Sequence, residues 1–269
     1  MKKYMLFILS ILFVLTFSCK VDDSATLSGD AYILTFEIDG MVGEAEIDET
    51  AGTVVITVEP LDITAVDPVI TVSEGATLGA VPELKDGEAV PVSITAENGD
   101  IREWQITVNV ESGVSFVLDG SKIILQEGRV DSSSSANTDA LGGGEPAACY
   151  LGELYFFAAD KQYDTISAEP ADYKWFKPSM KNYPANLSLT ENDVHFDYLE
   201  VEDSSLVLRV ESPYSGPEAD ISLVISNNGS AGEYIIGTFT LTTNDSSHAI
   251  TNGYFKLLRC EDDAWGFLF

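Results

Sequence analysis

The chain has 269 residues and a formal net charge of −30, and its 14 basic residues stand against 44 acidic ones. That balance argues against a nucleic-acid partner and against docking on anionic lipid by charge, because both need Lys and Arg. A composition of 45% hydrophobic and 10% aromatic residues argues against wholesale disorder, and the length suggests about two domains.

Residues 1–18 are an address. Lys2 and Lys3 form a positive n-region, and Met5–Phe17 is almost wholly apolar. An apolar run of this length is shorter than the ~20 residues needed to span a bilayer, so a mature transmembrane helix is not expected. Leu15-Thr16-Phe17-Ser18-Cys19 resembles a bacterial lipobox of the loose form found in the Bacteroidota, with Phe17 as its departure from the usual pattern. The resemblance implies cleavage after Ser18, a lipid on Cys19 and an outer-membrane location. The same residues also read as an ordinary cleaved signal with an incidental cysteine. Lys20-Val21-Asp22-Asp23 resembles the surface-export signal of Bacteroidota lipoproteins, which implies exposure at the cell surface. The membrane partner would then be reached through the N-terminal lipid alone.

Residues 19–30 are small and polar, a tether. From Ala31 strand signals dominate: Tyr32–Ile38, Thr53–Val58, Val69–Val72, Val92–Thr95 before Asn98-Gly99, and Trp104–Val110 with Trp104, Ile106, Val108 and Val110 on one face. Short strands with turn signals between them and no helical period predict an Ig-like β-sandwich over residues 31–111. Ile33–Gly40, Thr53–Pro60, Ile70–Ala76 and Trp104–Val110 resemble a recurrent Ig-like module of Bacteroidota surface lipoproteins. In that family the module is a spacer between anchor and distal domain. Trp104, in register with Ile106 and Val108, is read as core; the other reading is a ligand platform.

Glu111-Ser112-Gly113 is a short candidate linker. Val114–Leu118, Asp119-Gly120 and Lys122–Gln126 predict a hairpin. Asp131–Asp139 and Leu141–Gly144 are low-complexity and turn-rich, a surface loop. Further strand candidates are Tyr150–Ala158, Val194–Val201, Leu206–Glu211, Ile221–Ile225, Tyr234–Thr242, Ile250–Leu258 and Trp265–Phe269. The chain is therefore expected to be all-β, with residues 114–269 forming a larger antiparallel β-sandwich or jelly roll, or alternatively a barrel. Gly237–Thr240 and Ile250–Phe255 resemble, only loosely, C-terminal hairpins of uncharacterised Bacteroidota lipoproteins, a resemblance that implies no activity.

Few residues are available for chemistry. Beyond Cys19, Cys149 and Cys260 could form a disulfide in an oxidising compartment or remain separate thiols. His195 alternates with Val194 and Phe196 and is read as solvent-facing, and His248 falls in a loop, so no zinc spacing exists. No Gly-x-Ser-x-Gly elbow is present. Glu153, Glu191, Glu200 and Glu202 are hydrolase candidates only because acids are abundant. Glu261-Asp262-Asp263 or Asn192-Asp193 could offer oxygens to calcium, but no Asp-x-Asp-x-Asp-Gly loop occurs. No metal, cofactor or catalytic residue is therefore assigned.

The best functional clue is the aromatic-rich stretch 150–183, where alternation fails after Asp160 and Pro170, Pro178 and Pro184 appear. Tyr163, Tyr173, Trp175 and Tyr183 are expected on loops, with Lys177 in the most basic part of the chain. Such residues stack on the apolar face of a sugar or on a protein surface. The competing reading is that they cover the open end of the sandwich. The expected function is non-enzymatic recognition by a lipid-anchored surface protein, glycan binding or adhesion to a surface protein. The alternatives are a carboxylate-based glycan hydrolase and a structural subunit of a surface assembly.

Overall fold

The computed structural model describes residues 27–127, 129–130, 147–150, 154–161, 163–164, 172–181, 188–190, 192–212, 219–230 and 232–260. The strand signals become an all-β protein. The first seven strands are β1 (Ile33–Glu37), β2 (Glu46–Asp48), β3 (Thr53–Val58), β4 (Val69–Val72), β5 (Thr77–Leu78), β6 (Ala89–Thr95) and β7 (Ile101–Val110). Strands β1 and β4 pair as a small antiparallel sheet, and the others form a five-stranded sheet in the order β2-β3-β7-β6-β5. Strand β7 is central, parallel to β3 on one side and antiparallel to β6 on the other.

The period-two pattern decides what is buried. Val54, Ile56 and Val58 of β3, with Trp104, Ile106, Val108 and Val110 of β7, meet Ile33 and Phe36 of β1 in one hydrophobic cluster. Trp104 is fully buried and its indole N–H donates to Ala31 O at 3.0 Å. It is core, as its register predicted. The chain arrives at the opposite end of β7 from Val110: Asn98 N–H donates to Ser28 O, 3.0 Å away, beside the β6–β7 turn.

The following strands are β8 (Gly113–Leu118), β9 (Ser121–Leu125), β10 (Arg129–Val130), β11 (Ala147–Tyr150), β12 (Leu154–Ala159), β13 (Tyr163–Asp164), β14 (Tyr173–Phe176), β15 (Ser179–Met180), β16 (Ser188–Thr190), β17 (Val194–Glu202), β18 (Ser205–Ser212), β19 (Ala219–Asn228), β20 (Tyr234–Thr243) and β21 (Ala249–Arg259). Apart from the small parallel pair β10–β13, they join one 12-stranded sheet. Strand β21 pairs with β20 on one edge; its other edge takes β8 first and then β11. The sheet folds over at β11, so that Phe116, Phe239 and Phe255 pack on Phe156, Phe176, Phe196 and Tyr198. Phe116 meets Tyr198 edge-on at 5.1 Å, and the centroids of Phe156 and Phe255 lie 4.6 Å apart.

Two expectations need correction. The single strand expected at Tyr150–Ala158 is an antiparallel pair, β11 and β12, with Tyr150 opposite Leu154; Gly152 falls between them. The segment after Asp160, expected to be loop, contributes strands at Tyr173–Phe176 and Ser179–Met180. Both pair with β12 and β17 in one unbroken register. Pro178 interrupts the ladder because it lacks an N–H, yet its carbonyl still accepts from Phe156 N–H at 2.9 Å. Trp265–Phe269 and the low-complexity stretch 131–144 lie outside the described residues.

The two sheet systems are fastened together. Tyr254 of β21 is buried in the hydrophobic cluster of β1–β7, away from its own sheet's core. Lys256 Nζ lies 2.5 Å from Asp86 Oδ2 and donates to Val110 O at 2.6 Å. Asp86 Oδ1 in turn accepts from Val110 N–H. Ser115 Oγ bonds Pro60 O, Lys122 pairs with Glu59, and Gln126 bonds Glu111. Gly113 has φ of 145°, and a Cβ there would sit 2.6 Å from Leu125 O. Cys260 is disulfide-bonded, and its N–H donates to Ala148 O at 3.0 Å, next to Cys149 in β11.

A candidate ligand-binding face

Alternation along β12, β14, β17 and β18 sends Phe156, Phe176, Phe196 and Tyr198 inward and leaves their neighbours on the opposite face. Tyr173 and Trp175, two residues apart on β14, share that outer face with ring centroids 4.8 Å apart. Ala159 is opposite Trp175, which makes Phe157 its diagonal neighbour, and the Phe157 and Trp175 rings meet edge-on at 5.9 Å. All three side chains are half-buried. Two of the expected site residues, Tyr173 and Trp175, are thus together, but on a strand rather than a loop. Lys177 is exposed at the end of the same row, and its N–H donates to Asp197 O at 2.8 Å. Tyr163 lies in β13 with a side chain outside the described residues, as is all of Tyr183.

Next to the aromatic row runs a charged one. Asp197 of β17 stands opposite Glu211 of β18, a like-charge pair that would repel. Arg209 resolves it. Its Nε and Nη2 donate to the two Asp197 oxygens at 3.1 and 3.3 Å, and Nη1 reaches Glu211 at 3.2 Å. The Asp197 hydrogen bond, reinforced by the charges of Asp197 and Glu211, raises the guanidinium pKa above its usual value. His195 Nε2 lies 3.2 Å from the other Glu211 oxygen. Sequence reasoning missed Phe157, Asp197 and Arg209 as site residues. The alternation of Asp197 and Arg209 with apolar neighbours was visible, but bringing them and Phe157 near Trp175 needs the cross-strand register.

At the open end of the inner face lies a third group. Glu200 Oε1 accepts from Tyr198 Oη at 2.5 Å and from Lys174 Nζ at 3.1 Å, while Asp160 takes the Lys174 backbone N–H at 2.7 Å. Burial, and then the Glu200 carboxylate, push the Tyr198 phenol well above the usual tyrosine range, so it stays a donor. This network holds β14 on β17 beneath the aromatic row. Of the other carboxylate candidates, Glu202 is exposed at the β17–β18 turn, and Glu153 and Glu191 lie outside the described residues. So does the calcium candidate Glu261-Asp262-Asp263. At the other candidate, Asp193 accepts from Thr190. Among the described residues no group of three or more His, Cys, Asp or Glu could hold a metal ion.

Residues 33–110 match the family model described as "SGBP, N-terminal". No curated protein matches the chain. A solved structure from Bacteroides thetaiotaomicron, named provisionally as a glycoside hydrolase, is 10% identical, with 84% of this chain and 89% of that chain covered and a TM-score of 0.27. A likeness at that level carries no argument about activity.

Proposed function

We propose that this chain is a lipid-anchored, surface-exposed protein that binds glycan without chemical turnover. The observation that carries the reading is the outer-face row Phe157, Trp175 and Tyr173 beside Lys177, Asp197 and Arg209. Aromatic rings stack on the C–H face of a pyranose, and a guanidinium fixed by two carboxylates offers its flank to hydroxyls without a rotamer search. The family model over residues 33–110 supports it, since surface glycan-binding proteins carry that N-terminal region. In this reading Cys19 bears the lipid, residues 31–111 hold the rest of the chain away from the membrane, and residues 114–269 recognise the ligand.

The test is a glycan array probed with residues 20–269 and with the Trp175→Ala, Tyr173→Ala double variant. Selective binding by the first and its loss in the second, with the β spectrum intact, is the expected result. Binding unchanged in the variant places recognition elsewhere, and no binding by either overturns the reading. A Cys19→Ser full-length chain is expected to leave the membrane fraction.

A further inference from the structure

A concavity lies between the two sheet systems, away from the aromatic row. It has a volume of about 630 Å³, within the range typical of ligand sites. Its floor is the outer face of β19 and β20. Ser222 stands opposite Thr240, and Val224 opposite Thr238. All four point away from the core because Leu223, Ile225, Phe239 and Leu241 between them point in. Asn252 and Gly253 of β21 extend the floor. The wall comes from the other sheet system, from the Asp39 turn and the Leu61–Val66 segment.

The cleft exists because the junction is fastened. Tyr254, adjacent to the floor, is seated in the opposite hydrophobic cluster. Ser115 and Lys122, which line the cleft, are tied to Pro60 and Glu59. The space is therefore preorganised, which spares a ligand the cost of ordering its own site.

The lining selects a chemistry. Ser222, Thr238 and Thr240 offer hydroxyls, Asn252 an amide, and Asp39 and Asp62 carboxylates. Asp62 Oδ1 is committed to the Thr64 N–H and hydroxyl, leaving Oδ2 to face a ligand. The lysine lining the cleft, Lys122, is neutralised by Glu59. Such a surface repels anions and accepts hydrogen bonds from a neutral, hydroxyl-rich molecule. Val224, 41% exposed, and Leu61 supply small apolar patches against C–H groups. The two aromatic lining residues, Phe116 and Phe239, turn their rings into the core, so recognition here runs through hydrogen bonds rather than stacking.

We propose that this cleft is a second glycan site that takes a short stretch of a neutral polysaccharide. The inference rests on the glycan-binding reading for its ligand class, but on different residues. The experiment is an amide chemical-shift titration of residues 20–269 with maltohexaose, cellohexaose and xylohexaose, and with trigalacturonate as the anionic probe. One or more neutral probes are expected to move the Ser222, Thr238, Thr240 and Asn252 amides, and trigalacturonate is not. Thr240→Trp, which fills the cleft from an exposed position, is expected to raise the fitted Kd at least about tenfold. Ser222→Leu, which removes a hydroxyl with less bulk, is expected to raise it as well. Trp175→Ala is expected to leave the cleft shifts unchanged. Shifts confined to the Trp175 face overturn the cleft and spare the aromatic-face reading. Cleft shifts that survive Thr240→Trp overturn the cleft, and no shift with any neutral probe overturns it too.

Discussion

Lys256 and Asp86 form an ion pair, Nζ to Oδ2 2.5 Å, that runs from the last long strand of one sheet system to the other. Their side chains are only 12% and 22% exposed, and the same ammonium lies 4.8 Å from the Tyr234 ring centroid. Truncating one partner leaves a sequestered charge unpaired, which costs far more than an exposed pair would. Lys256→Ala is expected to lower stability by about 2 kcal/mol in urea unfolding. Lys85→Ala, which removes an exposed pair with Glu88, is expected to change it by less than about 0.5 kcal/mol.

Tyr254→Ala is expected to cost about 3–5 kcal/mol, because it removes an aromatic side chain from a packed cluster. Since that cluster belongs to β1–β7, the loss also loosens the junction. Unfolding followed by Trp fluorescence and by circular dichroism is expected to separate into two transitions in this variant and to coincide in the native chain.

Alkaline pH tests Tyr198 and Tyr254 together. Burial raises both phenols above the ordinary value of 10.0, helped by Glu200 at Tyr198 and by Asp86 and Asp62 at Tyr254. A raised folded-state pKa means a contribution that is complete below the unfolded value and is lost as pH climbs from there toward the folded one. Stability is expected to fall above about pH 10. The Tyr198→Phe, Tyr254→Phe double variant is expected to show a shallower decline in denaturant midpoints across that range.

On the acid side Asp245 is held down to about 2, first by the Ser247 hydroxyl and then by its backbone N–H. Asp119 is lowered by His248, whose Nδ1 is 2.7 Å away, and by the Ala249 N–H. Their contributions are present above the ordinary carboxyl range and are lost as pH falls through the depressed values. A carboxyl-carbon NMR titration is expected to place Asp245 near 2 and to find it higher in Ser247→Ala.

Gly113→Ala is expected to destabilise by about 3 kcal/mol, from a strained φ and a clash with backbone. The new methyl would meet Leu125 O at 2.6 Å and Pro60 Cγ at 2.8 Å. Gly87→Ala, whose Cβ would meet nothing within 4 Å although φ is 70°, isolates the backbone term. A smaller loss in thermal unfolding is expected there.

We propose Cys149 as the disulfide partner of Cys260. Peptide mapping without reductant is expected to recover the two together. Reduction is expected to lower the melting temperature, since closing a loop of about 100 residues is worth up to ~4.7 kcal/mol on the chain-entropy model.

Most of the longer strands were legible in the sequence where one face meets water, whereas short ones such as β2 and β16 were not. Val69–Val72 and Thr53–Val58 matched residue for residue, and β19, with Ile221, Leu223 and Ile225 inward, only lengthened at its ends. Strand β14 was not legible, because Tyr-Lys-Trp-Phe carries aromatics on both faces and so shows no polar side. The aromatic segment was singled out from the sequence, while the strand that carries Tyr173 and Trp175 was read as loop. The cleft was beyond reading: Asp39 and Asp62 meet Ser222 and Thr240 only through a junction whose key, Tyr254, looks like any outward residue of an alternating strand.

The position of β7 has a mechanical consequence. Ser28 is pinned beside its first end and Lys256 grips Val110 at its other. The two points of attachment are therefore separated by the length of the strand, about 30 Å. Hydrogen bonds to the antiparallel β6 lie perpendicular to the strand, and those to the parallel β3 cross to it at a slant. A load applied between those two points would shear both flanks together rather than unzip one bond after another.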